Sequence, residues 1–192
     1  MRTNKENEFE LITRIREGDI SDFKILVDNY KDVSFSLACS ILNNEQDAKD
    51  ALQESFIKAF KSLGKFNFKS SFSTWFYKIV VNTCKTRYSH QKRNDPFIIY
   101  DSCVGIEMSE NNTPFNELDL KERKEIVNRI LDIMEPDESL LLRLFYLAEL
   151  SIKEIKEITD FKESKIKVTL FRARKSFQQQ LGKLYGIEIS LS

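Results

Sequence analysis

Glycine and proline are scarce. Five glycines and three prolines in 192 residues leave few turn signals, which argues against a turn-rich β fold and for helices. Histidine occurs once, as His90, and the three cysteines (Cys39, Cys84, Cys103) are widely spaced with no CxxC pair, so a zinc site is not expected. There is no glycine-rich phosphate loop and no catalytic constellation, and neither an enzyme nor a cofactor is expected. The longest apolar run, near Val80, is far too short to span a bilayer, and the first ten residues lack the apolar core of a signal peptide. No membrane insertion is expected, and the protein is expected to be cytoplasmic with reduced thiols.

Net charge is also lacking, with 30 basic and 30 acidic residues, but its distribution is uneven. Residues 58–93 contain no acid, while Lys58, Lys61, Lys65, Lys69, Lys78, Lys85, Arg87, Lys92 and Arg93 all lie there. Residues 94–120 invert the pattern, with Asp95, Asp101, Glu107, Glu110, Glu117 and Asp119 and no lysine or arginine. The end turns basic again through Lys162, Lys165, Lys167, Arg172, Arg174, Lys175 and Lys183. Basic segments release counterions when they neutralise phosphates, and an acidic segment competes with phosphates for a basic channel.

Apolar spacing predicts helices over about 7–17, 21–42, 45–63 and 72–93. Gly18 ends the first, Asn43-Asn44 makes the next turn, and Gly64 is placed to cap the third. The third is expected to bury Ala48, Leu52, Phe56, Ala59, Phe60 and Leu63, and the fourth Phe72, Trp75, Phe76, Ile79 and Thr83. Residues 94–116 lack periodicity and read as a flexible acidic linker between domains. Beyond it, helices are predicted over about 117–134, 137–148, 152–159 and 163–184. The reading is all-α: two small helical domains, 1–93 and 117–192, joined by 94–116.

Ser151 and Glu154 form a capping box ahead of a short helix, and a break at 160–163 leads into a long one, the helix-turn-helix pattern. In the long helix Ile166, Leu170, Ala173, Phe177, Leu181 and Leu184 share one stripe, and Lys165, Thr169 and Arg172 another. Such an exposed face suits a major groove. Between 60 and 90 aromatic residues alternate with lysines, the chemistry of single-strand binding. Phe66, Asn67 and Phe68 fall in a loop, where a ring has less reason to be buried, and are candidates for holding an extruded base. These residues also suit a stand-alone helix-turn-helix regulator, and the helices alone suit a protein–protein adaptor.

Here the chain resembles a known family. DAKDALQESFIKAF (47–60) is similar to the sigma-factor helix DAEDLVQETFLKAW. FKSSFSTWFYKIVVNTCKTRYSHQKR (68–93) resembles that family's F-x-TW…N…RRxxR stretch, and EIKEITDFKESKIKVTLFRARKSFQQQL (154–181) is similar to EIAEILGIPEGTVKSRLHRARKKLRELL. The resemblance, to the extracytoplasmic-function (ECF) group of the sigma-70 family, covers about 20–94 and 118–184. It implies a region 2 bundle and a region 4 helix-turn-helix domain that bind core RNA polymerase and promoter DNA. The polymerase contacts are the β′ clamp helices and the β flap, and an anti-sigma factor is a further expected partner. It implies core binding by Asp47, Asp50, Gln53 and Glu54. Melting and reading of the minus-ten element fall to Lys65, Phe66, Asn67, Phe68, Lys69, Tyr77, Lys78, Asn82 and Lys85. Reading of the minus-thirty-five element falls to Lys165, Lys167, Thr169, Arg172 and Lys175. The chain departs from the family at Lys156, where a small residue is usual, at Asp160, where a glycine is usual, and over 165–169; Ile155, Ile158, Ile166 and Leu170 keep the apolar pattern.

Overall fold

A computed structural model of the chain describes residues 5–94 and 114–185, and most of the segment read as a linker lies outside them. Every regular element among the described residues is helical. Helix α1 (Lys5–Glu17) ends at Gly18, whose φ of 122° lies where side chains are strained. A 3₁₀ turn (Ile20–Asp22) leads into α2 (Phe23–Leu42). Asn43 then takes the left-handed conformation, φ 48°, one of the few residue types that tolerates it. The side chain of Asn44 caps α3 (Glu45–Ser62) by accepting the Asp47 N–H at 2.9 Å.

The sequence places a glycine cap at Gly64, but the structure does not use it. Helix α3 tightens into a 3₁₀ turn, Leu63–Lys65, and Gly64 has no positive φ. Helix α4 (Phe72–Asn94) starts beyond Ser71, whose hydroxyl accepts the Thr74 N–H at 3.2 Å.

Helices α2, α3 and α4 pack on one another pairwise. The face of α3 turned inward carries Ala48, Ala51, Ser55 and Ala59, and these small residues leave room for the rings of α2 and α4. Phe76 fills that space, fully buried, with Phe56 at 4.6 Å and Phe72 at 5.8 Å between ring centroids. Phe60, expected in this core, is 39% exposed. It lies one position round the helix from Ala59, with the Phe23 ring edge-to-face at 5.0 Å.

The second group comprises α5 (Pro114–Asp132), α6 (Pro136–Leu142), α7 (Ile152–Thr159) and α8 (Glu163–Tyr185). Proline opens α6 at a position where its missing N–H has no intrahelical partner to lose, with Asp137 and Glu138 in the first turn. The predicted single helix over 137–148 is not uniform. Residues Arg143–Leu147 form a π-helical turn, closed by the Ala148 N–H on the Arg143 carbonyl at 2.9 Å. Arg143 turns inward there, 2% exposed, while Tyr146 and Leu147 turn outward. The capping box expected at α7 is present, with the Ser151 N–H donating to Glu154 Oε2 at 2.9 Å. Asp160 sits in the turn before α8 at φ 62°, the conformation for which a glycine is usual.

The two groups touch. Helix α2 packs against α5, α6 and the π turn, and α4 against α7. Thr74 Oγ1 donates to Glu154 Oε1 at 3.2 Å, Lys85 Nζ to the Thr159 carbonyl at 3.2 Å, and the Arg143 guanidinium to the Ser36 hydroxyl. No helix among the described residues is long and apolar enough to cross a membrane.

Candidate nucleic-acid and protein interfaces

The acidic set on α3 is a charge-paired ridge rather than a bare acidic patch. Asp50 and Gln53 are exposed, and Asp47 and Glu54 are half-buried. Arg87, reaching across from α4, donates from Nε to Glu54 Oε2 at 2.9 Å and comes within 4.0 Å of Asp50. Lys58 meets the other oxygen of Glu54 at 2.8 Å. The hydrogen bond from Lys58, then that from Arg87, hold the Glu54 carboxyl below its ordinary range. Exposed pairs of this kind add little stability, but they fix the direction of the carboxylate. Sequence reading missed the part of Arg87, because 33 positions separate it from Glu54 and no local pattern links them.

The loop before α4 divides by residue. Lys65, Asn67 and Lys69 are exposed. Phe66, expected to be free, is instead buried, with its ring 4.8 Å from Phe68, 5.0 Å from Trp75 and 5.9 Å from Phe72. Phe68 is half-buried, 4.7 Å from Phe9 of α1. Phe72 and Trp75 of α4 cover the Phe66 ring together with Phe68, which Phe9 of α1 backs, and no local pattern reveals that enclosure. Tyr77 is likewise a core residue, 5.9 Å from Tyr30, and burial drives its hydroxyl pKa well above the ordinary value. Lys78, Asn82 and Lys85 recur at intervals of four and three, so they share a face of α4. Lys78 and Asn82 are exposed, while Lys85 is half-buried against α7 and lies 5.7 Å from the Phe161 ring.

On α8, Ile166, Leu170 and Ala173 face inward. Lys165, Lys167, Arg172 and Lys175 are exposed and Thr169 is half-buried. Lys165 meets Asp137 at 2.9 Å and stands 3.4 Å from the Phe161 ring centroid. Val168 and Phe171, missed in sequence, are 50% and 58% exposed among these cations. Their spacing of three, off the buried stripe, was the available signal. Apolar side chains on such a face suit thymine methyl groups.

An apolar groove of about 360 Å³ runs between α5, the π turn and α8, lined by Val127, Leu131, Leu142, Tyr146, Leu147 and Phe177. Among the described residues no cluster of His, Cys, Asp or Glu is fit to hold a metal. Cys39 and Cys84 are buried, and burial pushes the Cys84 thiol up to about 12, which leaves it unreactive.

Two family models match the chain: Sigma-70 region 2 over residues 26–94 and Sigma-70 region 4 over residues 124–177. The ECF RNA polymerase sigma-E factor of Haemophilus influenzae is 32% identical over 180 residues, 91% of this chain and 95% of that protein. Its counterpart in Escherichia coli K12 is 31% identical, over 91% and 94% of the two chains. Among solved structures, the sigma factor RpoE bound to the anti-sigma factor NepR from Bartonella quintana superposes with a TM-score of 0.66 at 20% identity, covering 83% of this chain and 96% of that one. CnrH in complex with the cytosolic domain of CnrY gives 0.60 at 17% identity, covering 90% and 96%.

Proposed function

Because this chain belongs to the ECF sigma factors, which bind core RNA polymerase and direct promoter-specific initiation of transcription, we propose the following division of labour among its surfaces. The ridge of Asp47, Asp50, Gln53 and Glu54 docks on the β′ clamp helices. The apolar groove beside the π turn receives the β flap. The outer face of α8, Lys165, Lys167, Thr169, Arg172 and Lys175 with Val168 and Phe171 between them, enters the major groove at the minus-thirty-five element. The exposed edge of Lys65, Asn67 and Lys69, continued by Lys78, Asn82 and Lys85, holds the opened minus-ten strand. Phe66 and Tyr77 support that surface from beneath.

The chain itself makes and breaks no bond, and polymerase binding energy offsets the cost of opening the duplex. The two solved structures named above are complexes, one explicitly with an anti-sigma factor. That supports an anti-sigma factor as a partner of this chain as well, acting in the cytoplasm.

The observation that carries this reading is the exposed cation-and-apolar face of α8 on a capped helix-turn-helix. Transcription by purified core polymerase on a promoter library, with and without the protein, tests it. Specific start sites that depend on the protein are expected; none with the cognate core enzyme refutes the reading. Glu54→Lys is expected to weaken capture of core enzyme in a pull-down, since it reverses the charge that Lys58 and Arg87 hold in place. Unchanged capture would exclude the ridge. Arg172→Ala is expected to weaken promoter binding by about 1–3 kcal/mol if the contact is to a base edge. Titrating holoenzyme onto a start-site fragment measures it, and an unchanged affinity would remove Arg172 from the interface.

A further inference from the structure

We infer that Arg16, on α1 and outside the region 2 match, is a positioning residue for the loop that holds the opened strand; the inference rests on the role proposed above for that loop. Where α3 passes through the 3₁₀ turn into the loop, the Leu63 carbonyl accepts the Phe66 N–H at 3.1 Å and keeps a second lone pair, and beyond the turn the Phe66 carbonyl points to no helical partner. Arg16 takes up both oxygens. Its Nη2 donates to the Leu63 carbonyl at 2.7 Å, its Nε to the same oxygen at 3.1 Å, and Nη2 also donates to the Phe66 carbonyl. A cation at a helix C-terminus is favoured by the axial dipole as well. The guanidinium also lies 5.0 Å from the Phe68 ring centroid, while Phe9 packs on that ring at 4.7 Å. One planar side chain therefore ties the start of the loop, its middle and its last ring together across 47 and 50 positions of sequence.

Two further features show why the loop needs such a tie. Phe68 has a φ of 58°, a conformation bulky residues keep only where their surroundings impose it. Asn67 is turned outward, its Oδ1 accepting the Lys69 N–H at 3.2 Å, so the exposed edge is set by the backbone that Arg16 holds. The mounting itself is firm: Leu11, Ile12 and Ile15 of α1 are buried, and the Tyr30 hydroxyl donates to Glu8. Lysine carries the charge but lacks the planar fork that spans two carbonyls and a ring face.

The test uses holoenzyme and a labelled single-stranded oligonucleotide of the non-template strand, taken from just upstream of a start site mapped in the transcription assay. Arg16→Ala is expected to lower affinity for this strand roughly tenfold, Arg16→Lys by less, and the double change Asn67→Ala with Lys69→Ala by at least as much as Arg16→Ala. Affinity for core enzyme and for the upstream duplex should stay as in the unmodified protein for the Arg16 variants. If the loop variant loses the strand and both Arg16 variants keep it, the positioning role is wrong and the loop reading stands. If the loop variant keeps the strand, the loop reading fails and the inference with it. If Arg16→Lys, the milder change, loses core affinity in step with strand affinity, Arg16 serves the fold alone and the inference is overturned.

Discussion

Replacing Arg143 by alanine is expected to cost about 3–5 kcal/mol of stability, the range for breaking a buried ion pair from one side. The Arg143 side chain is 2% exposed, and its Nη2 meets the Asp132 carboxylate, 11% exposed, at 2.6 Å. It also donates to Ser139 at 3.2 Å and to Ser36 on α2. Truncation strands a largely buried carboxylate, opens a cavity at the π turn and removes one of the hydrogen bonds joining the two helical groups. The pH dependence identifies the cause. Burial raises the Asp132 carboxyl above its ordinary value, and the charge and hydrogen bond of Arg143 pull it back only in part. The folded chain therefore holds this proton to a higher pH than the unfolded chain does, and ionisation costs stability as pH rises between the two values. Without Arg143 that interval widens upward. Urea unfolding should accordingly show a larger deficit at neutral pH than in mild acid; an equal deficit at both would clear Asp132 of the penalty.

Phe76→Ala is the second large effect, about 3–5 kcal/mol. Phe76 is fully buried where α2, α3 and α4 meet, with Phe56 at 4.6 Å, Phe72 at 5.8 Å, Tyr30 at 6.0 Å and Tyr77 at 6.3 Å. The rings around it are held by their own packing, so truncation leaves a cavity the size of a benzyl group. Because α3 carries the acidic ridge proposed to dock on core enzyme and α4 the lysines proposed to hold the opened strand, loosening this joint should lower core capture and strand affinity together. Phe76→Leu, which keeps most of the volume, should restore much of both. Denaturant midpoints beside the two binding assays measure this, and a loss of binding with full stability would contradict it.

Helix existence was legible in the sequence wherever apolar residues recur every three or four positions: the predicted 152–159 and the observed Ile152–Thr159 coincide, and α2, α3, α4 and α8 fall within two residues of expectation. What periodicity could not supply was anything set by distant chain. Phe66 is buried because Trp75 and Phe72 of α4 and Phe68, itself backed by α1, surround it; a loop ring carries no mark of that in its own neighbourhood. Nothing in its own neighbourhood of sequence marks Arg143 as buried; Asp132 and Ser36, 11 and 107 positions away, enclose it. Phe60 and Phe56 look equivalent on a helical stripe, and only the position of α2 and α4 decides which of them is covered. The candidate cations of α8 were readable because exposure on an amphipathic helix follows from the stripe opposite; the network around Glu54 was not, since Arg87 comes from another helix.

Trp75 is the only tryptophan in the chain, and its indole lies 5.0 Å from Phe66 and 5.5 Å from Phe72. The molecule thus contains one native fluorophore placed at the root of the loop. Withdrawal of Phe66 would admit water to the indole face and move its emission to the red, with no label attached and no second tryptophan to blur the signal. Loop rearrangement on meeting DNA would register as a colour change from a single site.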